Sequence, residues 1–224
     1  MKKIYLLVLF LLPLAVVAQR PSAIGQQLEA AGLVRIQDTD PSIHEHLVLA
    51  TPDNFAKKAF YKDLDAAYLH PQAALALKKA QAALKRLHPE LSLLVLDAAR
   101  PMSVQGLLYA EVVGTNSNIY ISDPRSGGDQ HNYGLAVDVT LCNTETGDTL
   151  QMGTLYGAFE PLSGQAAEDA VSVETASLTS EAVENRRLLR RVMAAGGFKA
   201  LRTEWWHFNF RTRSEAKANF SVLR

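Results

Sequence analysis

The chain has 224 residues, of which 48% are hydrophobic and 21% charged, and its basic and acidic side chains are equal in number. This length suits one domain with a full core, and the balanced charge without a lysine cluster argues against nucleic acid as a partner. Cys142 is the single cysteine, so an intrachain disulfide is excluded.

The first eighteen residues have the pattern of a secretory signal peptide. Lys2 and Lys3 form a basic start, residues 4–17 are almost entirely apolar, and Ala18 closes a small-residue end. We therefore expect cleavage near Ala18, a periplasmic or secreted location and no stable membrane association afterwards. The alternative is an uncleaved membrane anchor, although the apolar run is short for a bilayer span.

The rest of the chain is expected to form an irregular lead-in over 19–44 and one compact domain over 45–224. Apolar residues at helical spacing identify the helices of this domain, and apolar–polar alternation identifies its strands. In chain order we predict a strand at 46–50, a helix from Pro71 that ends before Pro89, a strand at 91–96, a helix capped by Ser103 and running to about Val113, a short strand at 118–121, a strand at 133–142, a hairpin tip at 146–148, a loop over 163–180, a helix at 181–195 stopped by Gly196-Gly197, and a strand pair at 198–210. This order predicts an α+β fold in which helices pack on an antiparallel sheet.

A first stretch with candidate metal ligands is His131-Asn-Tyr-Gly-Leu-Ala-Val-Asp138. Asp138 is expected to share a strand face with Gly134 and Ala136, which leave room for a bulky group above them. An aspartate on an apolar sheet is costly unless it is paired or binds a metal. From this segment alone, a salt-bridged Asp138 with His131 in a surface loop explains the pattern equally well.

A second stretch, Glu204-Trp205-Trp206-His207, brackets two large aromatic residues with a carboxylate and an imidazole. Two imidazoles, one ligating carboxylate and one spare carboxylate make up a catalytic zinc site, with three protein ligands, an open position and a base. The tryptophans would shield the site from water and raise the pKa of a nearby carboxylate. On a flat strand Glu204 and His207 face opposite sides, so a bulge or strong twist is required. The alternative is a core or interface aromatic pair with polar flanks.

Arg100 is a third candidate. It follows the predicted strand 91–96 and precedes Pro101, a position from which a loop would project it into a cleft. There it could stabilise the negative charge that forms on a carbonyl oxygen under attack. A strand-end salt bridge to Asp97 explains the residue equally well.

Taken together and in this order, these motifs resemble the zinc D-alanyl-D-alanine dipeptidases of the VanX kind over roughly residues 45–210. The resemblance is carried by Thr51-x-x-Asn54-Phe55, Asp97-x-x-Arg100-Pro101, His131-x-x-Gly134-x-Ala136-x-Asp138, Met152-Gly153-Thr154, Asn185-Arg186-Arg187-x-Leu189-Arg190 and Glu204-Trp205-Trp206-His207. It implies one Zn²⁺ per chain, held by His131, Asp138 and His207. It also implies that Glu204 acts as base and then acid, and that Arg100 stabilises the transition state.

The chain departs from the family pattern at three positions that surround the free amino end of the substrate in the family. Leu49 stands where the family usually has Tyr, Asp129 where it has Ser, and Gly157 where it has Asp. One carboxylate is lost and another gained, so we expect Asp129 to take over part of the ammonium binding and to alter selectivity. The predicted substrate-binding set is Asp129, Tyr156 and Trp206.

The predicted activity is hydrolysis of D-Ala-D-Ala, or of a related dipeptide, in peptidoglycan metabolism. A D,D- or L,D-carboxypeptidase that acts on stem peptides uses the same zinc core and stays open as an alternative. A binding module that keeps zinc without catalysis is a third possibility, which the presence of Glu204 disfavours.

Overall fold

The computed structural model describes residues 21–169 and 178–224. The predicted signal peptide over 1–18 lies outside these ranges, as do residues 170–177 of the predicted loop. Among the helices in the two ranges, none combines the length and apolar character needed to cross a bilayer.

Helices and strands are interleaved along the chain. The helices are α1 (Ala23–Ala30), α2 (Ile36–Thr39), α3 (Pro71–Leu87), α4 (Met102–Val112), α5 (Ala166–Asp169), α6 (Ser180–Gly196) and α7 (Arg213–Asn219). The strands are β1 (Val34–Arg35), β2 (His44–Glu45), β3 (Tyr68–Leu69), β4 (Leu91–Asp97), β5 (Ala136–Asn143), β6 (Lys199–Ala200) and β7 (His207–Asn209). Short 3-10 turns connect several of them, including Val48–Ala50, Asn116–Ile119 and Gln130–Tyr133.

The main sheet has five strands in the order β2-β4-β5-β7-β6. The strands from β4 to β6 pair antiparallel, whereas β2 pairs parallel to β4. The α+β class and the single compact domain are therefore confirmed, but the sheet is mixed rather than wholly antiparallel. Its parallel pair is only two residues long, and two residues carry no alternation from which pairing could be predicted.

Helices α3 and α6 cover one face of the sheet with the largest apolar cluster of the protein. Val137, Val139 and Leu141, which alternate along β5, are fully buried there. Pro71 occupies the first turn of α3, and Gly197 ends α6 in the left-handed conformation with φ of 95°. The opposite face of β5 carries Asp138, and this is the face on which the candidate site forms.

The segment 21–44 is not the irregular lead-in that was predicted. It contains α1, β1, α2 and part of β2, and its apolar side chains Leu28, Leu33, Ile36 and Ile43 are buried. These elements are two to eight residues long, too short for a periodicity to emerge from the sequence. The segment is held by tertiary packing, so the domain begins before residue 45.

Three further local predictions are wrong. Residues 46–50 and 118–121 are not strands, because apolar runs this short do not distinguish a strand from a turn. The 3-10 turns found there are Val48–Ala50 and Asn116–Ile119. Ser103 lies inside α4, whose N-cap is Pro101. The helix after residue 212 was missed, although Thr212 and Glu215 form a reciprocal capping box at its start.

Gly196 is the point of closest approach between α6 and α3. A Cβ atom on Gly196 would lie 2.5 Å from the carbonyl oxygen of Ala76 and 3.0 Å from the Cβ of Ala80. We expect Gly196→Ala to lower the free energy of unfolding by about 1–3 kcal/mol, the usual cost of overpacking, in urea denaturation. Gly106→Ala in α4 is the matched control, because a Cβ there meets nothing within 4 Å and should stabilise the helix. Equal effects of the two substitutions would contradict this packing.

Candidate active site

Asp138 lies at the centre of the candidate site because β5 is the middle strand of the sheet. Its register partner is His207 in β7 on one side and Asp97 in β4 on the other. The β4 register shifts between Val95 and Asp97. This irregularity brings Asp97 to the level of Asp138, and polar side chains of three adjacent strands meet at one height.

His131 reaches the same place from the 3-10 turn Gln130–Tyr133 that leads into β5. The turn is capped by Asp129, whose carboxylate accepts the backbone N–H of His131 at 2.9 Å. Gly134 ends the turn with φ of 66°, and a Cβ there would lie 3.0 Å from the backbone nitrogen of His70. The prediction that Gly134 shares the strand face of Asp138 is therefore wrong. Gly134 precedes the strand and permits the turn that directs His131 towards the site.

Glu204 precedes β7 in a turn that spans residues 204–207, with the backbone N–H of His207 directed at the Glu204 carbonyl at 3.4 Å. The opposite-face difficulty of a flat strand therefore does not arise, because only His207 belongs to the strand. Glu204 and His207 line one cavity together with His131 and Asp138.

Three ligand atoms form a nearly equilateral triangle. His131 Nε2 lies 3.2 Å from Asp138 Oδ1 and 3.1 Å from His207 Nδ1, and His207 Nδ1 lies 3.1 Å from Asp138 Oδ1. All three residues are buried, and within the described ranges they are the group of three His, Cys, Asp or Glu residues placed to hold a metal ion. The edges are comparable to those between ligands that each bind one zinc ion at about 2.0–2.1 Å.

Each ligand side chain has a second polar atom that points away from the triangle, and a hydrogen bond to this atom orients the ligand. His131 Nδ1 lies 2.6 Å from the carbonyl oxygen of Ala98, and His207 Nε2 lies 3.0 Å from Oδ1 of Asn209. The Tyr156 hydroxyl donates to Asp138 Oδ2 at 3.0 Å. Donation of the outer N–H leaves the inner nitrogen of each neutral imidazole unprotonated. Three acceptors then face one another and repel unless a cation lies between them, so this donor set fits a zinc ion.

The electrostatics of the triangle also favour a cation. Burial raises the pKa of Asp138, but the charges and hydrogen bonds of the two histidines lower it by more. Burial lowers the pKa of His207, whereas Asp138, Glu204 and Asp129 together raise it to about 9. The cluster therefore attracts positive charge, which a divalent metal supplies in place of protons.

The Glu204 side chain is buried in the same cavity as the triangle. Its side chain is 6% exposed, and burial raises its pKa to about 7, against the opposing charge of His207. No donor in the described ranges hydrogen-bonds to its carboxylate, which faces the cavity. A base with a pKa near neutrality can both accept and return a proton at working pH.

Arg100 forms the predicted salt bridge to Asp97. Its Nε and Nη2 donate to Asp97 Oδ2 at 3.0 and 2.6 Å, and its Nη1 donates to Gln105 at 2.8 Å. Its guanidinium also lines the cavity, with Nη2 4.0 Å from Asp138 Oδ2. Burial lowers the pKa of Arg100, and Asp97 and Asp129 raise it by more, so the cation persists. The salt bridge therefore fixes a charged group at the site.

Arg186 of α6 supports the turn that carries Glu204. Its buried guanidinium donates to the carbonyl oxygens of Met152 at 2.7 Å and Leu162 at 2.9 Å. It also lies 5.8 Å from the ring centre of Trp205, whose indole N–H donates to Thr154 at 2.9 Å. This network connects α6 with two loops and the Glu204 turn, which accounts for Arg186 of the basic motif.

The cavity has a volume of about 290 Å³, near the lower end of small-ligand sites at about 300–1,000 Å³. The predicted residues Asp129, Tyr156 and Trp206 all line it, and so do Leu49 and Gly157. Tyr156 contacts Trp206 edge to face at 5.4 Å, so Tyr156 both orients Asp138 and forms part of the cavity wall.

Sequence reasoning missed Asn209, Gln105 and the Ala98 carbonyl. Asn209 had a signal, because it lies two residues after His207 and therefore shares its strand face. Gln105 accepts from Arg100 and donates to the Ser122 carbonyl at 2.8 Å, a link that depends on tertiary structure. The Ala98 carbonyl is a backbone group, which side-chain patterns do not reveal.

The chain resembles several known peptidases. It is 33% identical over 168 residues to the D-alanyl-D-alanine dipeptidase of Escherichia coli (strain K12), covering 75% of this chain and 79% of that protein. It is 38% identical over 87 residues to the D-alanyl-D-alanine dipeptidase of Streptomyces coelicolor, covering 39% of this chain and 38% of that protein.

Two solved structures are also similar. The LdcB LD-carboxypeptidase has a TM-score of 0.38 and 19% identity, over 67% of this chain and 63% of that chain. A Zn(II) complex of a mutant of the vancomycin-resistance D,D-pentapeptidase VanY has a TM-score of 0.36 and 14% identity, over 69% of this chain and 79% of that chain.

A family model covers far more of the chain than the two motifs that first indicated a metal site. The peptidase M15 model, described as D-ala-D-ala dipeptidase, matches residues 29–222, which includes the helical segment before residue 45. The chain therefore belongs to the D-ala-D-ala dipeptidase family of peptidases.

Proposed function

We propose that the protein is a zinc-dependent dipeptidase that hydrolyses D-Ala-D-Ala, or a closely related dipeptide, in peptidoglycan metabolism. The observation that carries the proposal is the convergence of three metal-ligand atoms, a carboxylate with a raised pKa and a fixed arginine on one small cavity. The predicted signal peptide supports a periplasmic or secreted location for this activity.

In the proposed site His131, Asp138 and His207 hold one Zn²⁺ per chain. Zinc bound there would supply Lewis-acid chemistry, lowering the pKa of water and polarising a carbonyl group. Asn209 and the Ala98 carbonyl hold the imidazole rings in place, and Tyr156 holds the Asp138 carboxylate. These contacts preorganise the ligands.

Glu204 is the proposed general base and acid. It takes a proton from the attacking water at its carboxylate and returns this proton to the nitrogen of the leaving amine. Arg100 donates from its remaining N–H groups to the carbonyl oxygen as negative charge develops there. Its pairing with Asp97 and Gln105 means that little reorganisation is needed when the charge appears.

Asp129 is the proposed partner of the substrate ammonium. Its side chain is 18% exposed, lines the cavity and lies 3.7 Å from Nη1 of Arg100. We expect Asp129→Ser to lower kcat/KM for a free dipeptide about tenfold or more relative to an N-blocked one, because a charged hydrogen bond is lost. Ser and Asn side chains can each accept the His131 N–H and cap the turn. Asp129→Ser and Asp129→Asn should therefore both retain the fold. An unchanged ratio between the two substrates would rule this role out.

The test of the proposed function is an assay of zinc-loaded and metal-stripped protein on D-Ala-D-Ala, L-Ala-D-Ala and a pentapeptide stem. The proposal predicts zinc-dependent release of D-Ala from D-Ala-D-Ala. Cleavage of the pentapeptide alone would identify a carboxypeptidase instead. If none of the three substrates is hydrolysed, the protein is a zinc-containing binding module rather than an enzyme of this class.

A further inference from the structure

The candidate cavity has two walls of different chemistry. One wall carries the charged groups, including Arg100, Asp129 and Glu204. The other is built from apolar side chains of four separate segments: Leu49, Phe55, Leu108, Ile119, Tyr120 and Phe159. We call this second set the apolar wall. The reaction assigned to the charged wall does not use it.

Aromatic stacking holds the apolar wall together. The rings of Tyr120 and Phe159 lie 5.1 Å apart at 14°, and the rings of Phe55 and Phe159 lie 5.0 Å apart at 57°. The Gln105 side chain donates to the carbonyl of Ser122 while it accepts from Arg100. This bridge connects the loop that follows Tyr120 to the charged wall, so both walls have a defined relative position.

Within residues 21–169 and 178–224, the protein itself covers the apolar wall only in part. Phe55, Tyr120 and Phe159 are half-buried, and Ile119 is 78% exposed at the rim. Exposed apolar surface beside a concave site is typical of ligand-binding grooves. The methyl group of an alanine side chain would cover little of this surface, whereas a leucine or phenylalanine side chain would cover much of it.

We infer that the cavity selects dipeptides in which one residue carries a bulky apolar or aromatic side chain, seated on the apolar wall. This inference rests on the proposed function and names its substrate class. The peptide bond lies at the charged wall, and the side chain displaces water from the stacked rings. Burial of one large apolar side chain corresponds to a preference of roughly 10–100-fold over alanine.

The test compares kcat/KM of the zinc-loaded protein on D-Ala-D-Ala, D-Ala-D-Phe, D-Phe-D-Ala, D-Ala-D-Leu and D-Leu-D-Ala. We expect kcat/KM for at least one of the four bulky dipeptides to exceed kcat/KM for D-Ala-D-Ala about tenfold or more. A rate highest for D-Ala-D-Ala would overturn the inference and leave the proposed function intact. No hydrolysis of any dipeptide would overturn the proposed function itself, and the inference with it.

Two variants connect the preference to the wall. Tyr120→Ala and Ile119→Ala should each lower the ratio of bulky to D-Ala-D-Ala kcat/KM, and Ile119 is too exposed for its loss to unfold the protein. Val113→Ala is the matched control, because Val113 is 52% exposed but does not line the cavity, and its ratio should equal that of the wild type. A ratio unchanged in both wall variants would contradict the assignment.

Discussion

Glu204→Gln is expected to lower kcat for D-Ala-D-Ala by about 10²–10⁴-fold while the protein keeps its zinc, because general acid–base catalysis contributes this much. Glutamine has nearly the same shape as glutamate, so the cavity is preserved, but its amide cannot accept the proton. Glu204 is not one of the three converging ligands, and metal content should therefore stay at one zinc per chain. Steady-state kinetics and elemental analysis of the same preparation measure both quantities.

Glu160→Gln is the matched control for Glu204→Gln. Glu160 is exposed and does not line the cavity, so its variant should match the wild type in rate and metal content. Loss of zinc from Glu204→Gln would show that Glu204 is a ligand, and an unchanged kcat would show that it is not the base.

His131→Ala is expected to release the metal and, with it, the activity. Only Asp138 and His207 would remain of the triangle, which leaves two protein ligands where zinc sites use three or four. The loss of zinc affinity should exceed the roughly 10–100-fold that removal of a ligand's hydrogen-bond partner costs. Competition with a chromophoric chelator measures this affinity.

Two further variants serve as comparisons for His131→Ala. Asn209→Ala removes the partner of His207 Nε2 and should weaken zinc binding by about 10–100-fold. His88→Ala removes an exposed imidazole that pairs with Glu90 on the surface and should leave zinc binding unchanged. If His131→Ala kept wild-type zinc affinity, the proposed ligand set would be wrong.

The long elements of the fold were predictable because their patterns are long. Helix α3 repeats apolar residues over its seventeen positions from Pro71, and α6 is followed by a glycine in the left-handed conformation. Strand β5 is eight residues long and carries an alternating pattern, so the strand was identified from the sequence. In each case many residues of one element contribute to the same pattern.

The short elements were not predictable, and the reason is physical. Strand β2 is two residues long, and α2 and the 3-10 turns are three or four. Such segments are stabilised by contacts distant in the sequence, for example the burial of Ile36 and Ile43 against the main core. Local propensity does not encode those contacts.

The candidate site was likewise predictable only in part. The resemblance to the dipeptidase family predicted His131, Asp138 and His207 as ligands, and these residues converge in the structure. The groups that orient them were not all visible, because the Ala98 carbonyl is backbone and the Gln105 link crosses between segments. Residue chemistry identifies ligands, whereas tertiary structure identifies what holds them.

Under the proposed function, hydrolysis of D-Ala-D-Ala by this chain requires one zinc ion at His131, Asp138 and His207. A titration of metal-stripped protein with zinc, followed by the release of D-Ala from D-Ala-D-Ala, tests it most directly. We predict no turnover before zinc is added, a linear rise, and a plateau at one zinc per chain. Full turnover without metal, or none from zinc-saturated protein, would contradict the claim.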